Sequence, residues 1–221
     1  CLERDFVWSV TYGDIYSGWT ANRPVWNKGA AGVVAATREV EGALPFELLG
    51  FDTDNGSEFL NWHLLRYFQE RPKAVGFTGS RPYKKDDNGH VEQKNWTHVR
   101  QLLGYDRLGE PELLEPINAL YRECWEPRHN YFLPSAKLEQ KRREGAEVKR
   151  RHDKPLTPCE RLLGSPEVDA ASKRKLQEQR AALNPFDLHS RLEEGLRAIL
   201  HRALHSGRPT DSLHCAPDAG K

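Results

Sequence analysis

Methionine is missing altogether: none of the 221 residues is Met, and the chain opens on Cys1. Because translation begins with Met, the expectation is a processed chain or a fragment whose upstream part lies outside this sequence. Cysteine is scarce, with four residues at positions 1, 124, 159 and 215 and no Cys-x-x-Cys pair. That excludes a zinc ribbon or a dense disulfide framework and points to a reducing compartment. No apolar run approaches the roughly 20 residues that cross a bilayer, and no signal-peptide pattern is present. A soluble, cytoplasmic protein with no membrane partner is expected. Internal repeats and low-complexity segments are absent too, which excludes a solenoid.

Net charge of either sign is also lacking, at +1 from 33 Lys and Arg against 32 Asp and Glu. The balance conceals a segregation. Residues 1 to 70 carry ten acids against five basic residues, residues 71 to 100 carry seven basic against three acidic, and Lys137 to Arg151 again carries seven against three. An acidic half beside basic stretches suits an enzyme acting on a polyanion, because cations neutralise the first and phosphates the second. Solvated helix faces are the blander account of such runs.

Phe6 to Tyr12 is rich in β-branched and aromatic residues and predicts a strand. Asp14 to Gly18 predicts a turn and Trp19 to Trp26 a second strand, together a hairpin. Asn27 is a candidate cap for a helix from Lys28 to about Val40, ended by Gly42, whose Ala30, Ala31, Ala35 and Ala36 would let it lie close to a sheet. Phe46, Leu48, Leu49 and Phe51 predict a strand ending in acids at Asp52 and Asp54. A helix from Ser57 to Glu70 follows, with Leu60, Leu64, Leu65 and Phe68 inward, and then a short strand, Val75 to Thr78. Gly79 to Asn88 is a polar loop, Glu92 opens a helix after Asn88-Gly89, and Pro111 to Cys124 predicts another helix. Beyond residue 130 a basic stretch from Lys137 to Lys154 lies between prolines, two helices are expected at about 167–183 and 187–206, and the tail from Gly207 is expected to be disordered.

Three motifs stand in order: Asp54-Asn55-Gly56-Ser57-Glu58-Phe59, then Ser80-Arg81-Pro82-Tyr83, then Asn88-Gly89-His90-Val91-Glu92-Gln93-Lys94-Asn95. A strand and a helix that bring two carboxylates together can hold hard divalent cations. With 37 residues between Asp54 and Glu92, residues 1 to 130 resemble the catalytic core of DDE transposases and retroviral-type integrases. The resemblance implies an α/β, ribonuclease-H-like mixed sheet flanked by helices, and beyond it a basic, mostly helical extension is expected over 131–206. It also implies three acids binding two Mg²⁺ or Mn²⁺ ions. Asp54 and Glu92 match the last two, and the strand bearing the first has no counterpart here.

The implied activity is 3′ end cleavage and strand transfer by an insertion-sequence transposase, nucleoid-associated and at least dimeric, with transposon ends and target DNA as partners. This chain alone is expected to be inactive. Arg81, Lys84, Lys85, Asn95, Lys141, Arg142 and Arg143 are the candidate DNA contacts. Lys94 falls off the Glu92 face, unlike the lysines of some integrases. A ribonuclease-H-like nuclease and a non-catalytic DNA-binding remnant are the alternative readings. Asp52 is a weaker ligand candidate than Asp54, Glu58 is read as a helix-start residue, and Asp14 as a turn residue. His201 and His205, four apart, read as a solvated face, and Trp62, Trp96 and Trp125 as packing residues.

Overall fold

A computed structural model describes residues 5–27, 29–53, 58–71, 75–79, 99, 101–104, 108–144 and 147–206 of this mixed α/β protein. Strands β1 (Val7–Gly13) and β2 (Thr20–Trp26) form the expected antiparallel hairpin, with Val7 opposite Trp26 and Gly13 opposite Thr20. Asp14 closes its turn. The carboxylate accepts both the backbone N–H and the hydroxyl of Ser17 at 2.6 Å, and Gly18 takes a φ of 80° that a side chain would resist.

Helix α1 (Ala30–Ala43) buries Ala30, Val33, Ala36, Thr37 and Val40, whereas Ala31 and Ala35 face solvent. Asn27 is not its cap. Its side-chain oxygen accepts the N–H of Phe6 at 3.1 Å from a backbone φ of 54°, so it fastens the open end of the hairpin. Gly29 occupies the N-cap without a side-chain bond, and the helix runs one residue past Gly42. Strand β3 (Gly50–Thr53), helix α2 (Glu58–Gln69) and strand β4 (Gly76–Gly79) follow, with β3 and β4 parallel and Phe51 opposite Phe77.

From Pro111 to Phe132 the chain is continuously helical: a 3₁₀ turn at Pro111–Leu113, α3 (Leu114–Leu120), a π-helical turn at Tyr121–Trp125 and α4 (Glu126–Phe132). The π turn ends two residues before Pro127. A proline inside a helix lacks the N–H that would bond four residues back and its ring crowds that carbonyl, so the helix widens to let it in. Side chains on β1 alternate between two cores. Trp8 and Val10 join Val25, Val33, Leu64 and Phe68, while Val7 joins Ile117, Leu120, Tyr121 and Trp125. The hairpin is therefore a middle layer between α1 with α2 and the long helical stretch.

The basic stretch that follows is a second hairpin, β5 (Leu138–Glu144) and β6 (Glu147–His152). Helices α5 (Pro158–Gly164), α6 (Ala170–Ala182) and α7 (Pro185–Ser206) complete the chain, the last two close to their expected limits. Helix α7 crosses α3 at Gly195, where a Cβ would lie 2.5 Å from Leu120 Cδ1. No helix among the described residues is long and apolar enough to cross a membrane.

Candidate functional site

Six of the expected site residues, Asp54, Arg81, Lys84, Lys85, Glu92 and Asn95, lie outside the described residues, as does Trp96. The elements leading to them are described. On β3, Phe51 points inward, stacking on Phe77 at 6.2 Å and meeting the Phe68 ring at a tilt at 4.8 Å. Asp52 therefore points outward at the carboxyl end of the strand, where it accepts a hydrogen bond from the Thr78 hydroxyl at 2.9 Å. Asp14, committed to Ser17, sits in the turn at the far end of β1.

The two small sheets have unequal edges. In an antiparallel ladder alternate residues turn their N–H and C=O groups to opposite sides. On β2, Thr20 and Asn22 turn theirs away from β1, and helix side chains receive them: Asn130 accepts the Thr20 N–H at 2.9 Å and donates to its carbonyl at 2.8 Å, and Glu126 accepts the Asn22 N–H at 3.0 Å. Pro24 stands on the same side, where the ladder needs no N–H from it. Arg23, only 3% exposed, completes this seal with ion pairs to Glu126 and, at 2.9 Å, to Glu39. Burial pushes the Glu126 carboxyl above its usual range against the pull of Arg23.

The opposite edge differs. Val7 donates to the Leu108 carbonyl at 2.8 Å, but among the described residues β1 pairs only with β2, and β3 only with β4. These two edges border one core, with Tyr12 and Phe51 rings 6.4 Å apart. The Tyr12 phenol bonds Thr37 at 3.0 Å and burial pushes it up to about 12.

Lys141, Arg142 and Arg143 lie together on β5, exposed. The register sets Lys141 opposite Arg150, Arg142 opposite Lys149, and Arg143 opposite Val148. Like charges directly across a ladder repel. Glu139 pairs with Arg151 at 3.5 Å. Directly opposed residues share a face, so one face carries Lys141, Arg150, Arg143 and Val148, and the other Arg142, Lys149, Arg151 and Glu147.

The base of this ribbon is held firmly. Asp153 accepts the Lys137 N–H and an Arg161 N–H, both at 2.5 Å, and Arg161 also donates to the Ser135 carbonyl at 2.7 Å. The Arg161 bond holds the Asp153 carboxyl below its usual range. The Lys137 ammonium, its pKa lowered by burial, donates to the Ile15 carbonyl at 2.6 Å and to that of Tyr16, tying the ribbon to the first hairpin.

Elsewhere, Trp125 is buried as expected, but Trp62 is 69% exposed and packs into no core. His201 and His205 stack at 4.0 Å on the exposed side of α7, and His205 Nδ1 meets the His201 carbonyl at 2.8 Å. Among the described residues no group of three or more His, Cys, Asp or Glu side chains is placed to hold a metal ion.

No known family model matches the chain. It is 38% identical over 156 residues to the uncharacterized protein y4rM of Sinorhizobium fredii (strain NBRC 101917 / NGR234), an alignment covering 71% of this chain and 44% of that protein. The chain thus spans less than half the length of this curated relative.

Proposed function

We propose that this chain is part of a DDE-type transposase with a ribonuclease-H-like core, whose whole protein cuts DNA at the ends of a mobile element and joins the freed 3′ ends to a target. The observation that carries the reading is the seam between β1 and β3. A hairpin sealed on its far edge, a helix, a strand, a helix and a parallel strand surround one core, bordered by two strand edges that pair with no further strand among the described residues. The resemblance expects the strand bearing the first catalytic Asp between those edges, and an added strand would satisfy both ladders at once.

Asp54 and Glu92 would hold the metal ions, since carboxylate oxygens suit Mg²⁺ or Mn²⁺. When bound, two such ions supply charge neutralisation at the scissile phosphate and at the leaving oxygen of an in-line displacement. Arg81, Lys84, Lys85, Asn95 and the Lys141 to Arg143 cluster would hold phosphates and fix the register of the duplex. First water attacks phosphorus and the P–O3′ bond breaks, freeing a 3′ hydroxyl; that hydroxyl then attacks a target phosphodiester, forming a new P–O bond as the target's own P–O3′ bond breaks and its 3′ oxygen leaves as a hydroxyl. Working on two element ends calls for at least two copies.

The basic ribbon taken alone favours a second reading, a DNA-binding remnant without catalysis. One experiment separates the two. A version extended upstream through the preceding strand is incubated with element-end DNA and Mg²⁺ or Mn²⁺, alongside its Asp54→Asn and Glu92→Gln variants. The transposase reading expects metal-dependent cleavage and joining, lost in both variants with the circular dichroism unchanged. Full activity in either variant overturns the assignment, and DNA binding without any cleavage favours the remnant.

A further inference from the structure

We propose that α7 joins two copies of this chain, laid antiparallel about a two-fold axis at the level of Gly195. Phe186 of each copy then packs against Leu204 of the partner, and Glu193 pairs with Arg197 of the partner. The inference deepens the proposed reading, on which it rests for the need of two copies, and names the surface that brings them together.

The pattern along α7 comes first. Among the described residues this helix exposes two large apolar side chains, Phe186 at 80% in its first turn and Leu204 at 70% in its last. They stand eighteen residues apart, five whole turns, so one line along the helix carries both, ~27 Å from each other. Glu193 and Arg197, also exposed, lie within about 20° of that line. Gly195 points the opposite way, into Leu120, and Leu192 and Ile199 are buried on the same inner side. The inner side of α7 holds the fold together, and the line from Phe186 to Leu204 faces solvent.

That line is complementary to itself. Phe186 and Leu204 are each nine residues from Gly195, and Glu193 and Arg197 each two. A two-fold axis at Gly195 therefore sets apolar against apolar and acid against base, each contact made twice, as an interface between identical patches requires. Charge also fixes direction and register. A parallel pair would set Glu193 beside Glu193 and Arg197 beside Arg197, and sliding the antiparallel pair by one turn brings one of those like pairs together. Within the chain Glu193 meets His189 at 3.3 Å and Arg197 at 3.5 Å; a guanidinium has five N–H groups and can serve two carboxylates at once. Helices packed 8–10 Å apart bring such side chains within reach of each other. A lipid surface fits this line less well, since its apolar residues stand at the two ends with a carboxylate between them. One helix laid on another buries less than the standard ~1,600 Å², so the pairing belongs in the micromolar range.

The test is sedimentation equilibrium of the 221-residue chain from about 5 to 500 μM, without DNA or metal. The native chain should dimerise. Phe186→Ser/Leu204→Ser should weaken pairing at least about ten-fold, whereas Trp62→Ser, equally exposed on α2, should leave it unchanged. Glu193→Arg and Arg197→Glu should each weaken it by about ten-fold, and an equimolar mixture of these two variants should pair again. All the altered positions are exposed, so circular dichroism should stay native. Direction is read with a short bismaleimide in a Cys1→Ser/Cys215→Ser background: copies carrying Phe186→Cys should link to copies carrying Leu204→Cys far more than either links to itself. A native chain still monomeric at about 500 μM, a dimer indifferent to the apolar and charge variants, or preferential linking of like positions overturns the interface. None of these measurements involves DNA. A monomeric chain therefore leaves the cleavage test of the extended version standing, and pairing without cleavage there overturns the functional reading alone.

Discussion

Replacing Arg23 by Met removes the cation that seals the outer edge of β2 while keeping an unbranched apolar stem. The guanidinium is 3% exposed, donates to the Asn22 carbonyl at 2.7 Å, and pairs with Glu126 and Glu39. Without it, Glu126, whose side chain is 14% exposed, keeps the Asn22 N–H as its bond in the seal and stays a buried carboxylate. Breaking such a pair from one side costs about 3–5 kcal/mol; Glu39, 40% exposed, adds little because water screens it. The penalty should depend on pH. The folded carboxyl of Glu126 already titrates above its ordinary 4.5 because of burial, and Arg23 pulls it down, so losing the guanidinium lets it rise further. A group that binds its proton more tightly when folded contributes stability at low pH and loses it as pH rises from its unfolded toward its folded value. The deficit of Arg23→Met should therefore be greatest near pH 7.5 and shrink toward pH 5. Adding Glu126→Gln should recover most of it, since the amide oxygen still accepts the Asn22 N–H. Urea unfolding followed by tryptophan fluorescence, with Trp125 buried as reporter, measures all three proteins. A loss under about 1 kcal/mol at pH 7.5, or an equal loss at both pH values, would refute the idea that this ion pair holds the edge closed.

Two further substitutions probe the layers around the first hairpin. Ser9→Ala removes the hydroxyl 2.8 Å from the phenol of fully buried Tyr121; stability should fall by about 1–3 kcal/mol, and Tyr121→Phe in the same protein should restore most of it. Gly195→Val places a side chain where even a Cβ comes within 2.5 Å of Leu120 Cδ1. Overpacking of about 1–3 kcal/mol is expected, with partial recovery on adding Leu120→Ala, both read from the urea midpoint.

Local pattern carried much of the fold. The β-branched and aromatic residues from Phe6 to Tyr12 mark a strand, and Asp14 to Gly18 holds the turn chemistry of a hairpin. The spacing of Leu64 and Phe68 marks the inner side of α2. The ordered Asp54 and Glu92 motifs, which carry the functional proposal, are likewise a property of the sequence alone. The basic stretch is different. Lys141 to Arg143 and Lys149 to Arg151 have no apolar period, so the mostly helical extension expected there gives way to two strands, and strand register, a pairing between segments, is what sets Lys141 against Arg150 and divides the charges between two faces. Asn27 shows the same limit. Its composition suits a helix cap, but the N–H of Phe6, 21 residues away, was nearer to hand than those of α1. Trp62 stays exposed although its type favours burial, because the inward positions of α2 are taken by Leu64 and Phe68. The sealing of β2 by Glu126 and Asn130 needed a helix more than 100 residues away to bring two polar side chains one turn apart against the strand edge. Short-range chemistry is written in the order of residues, whereas edges, faces and ion pairs exist only once distant segments meet.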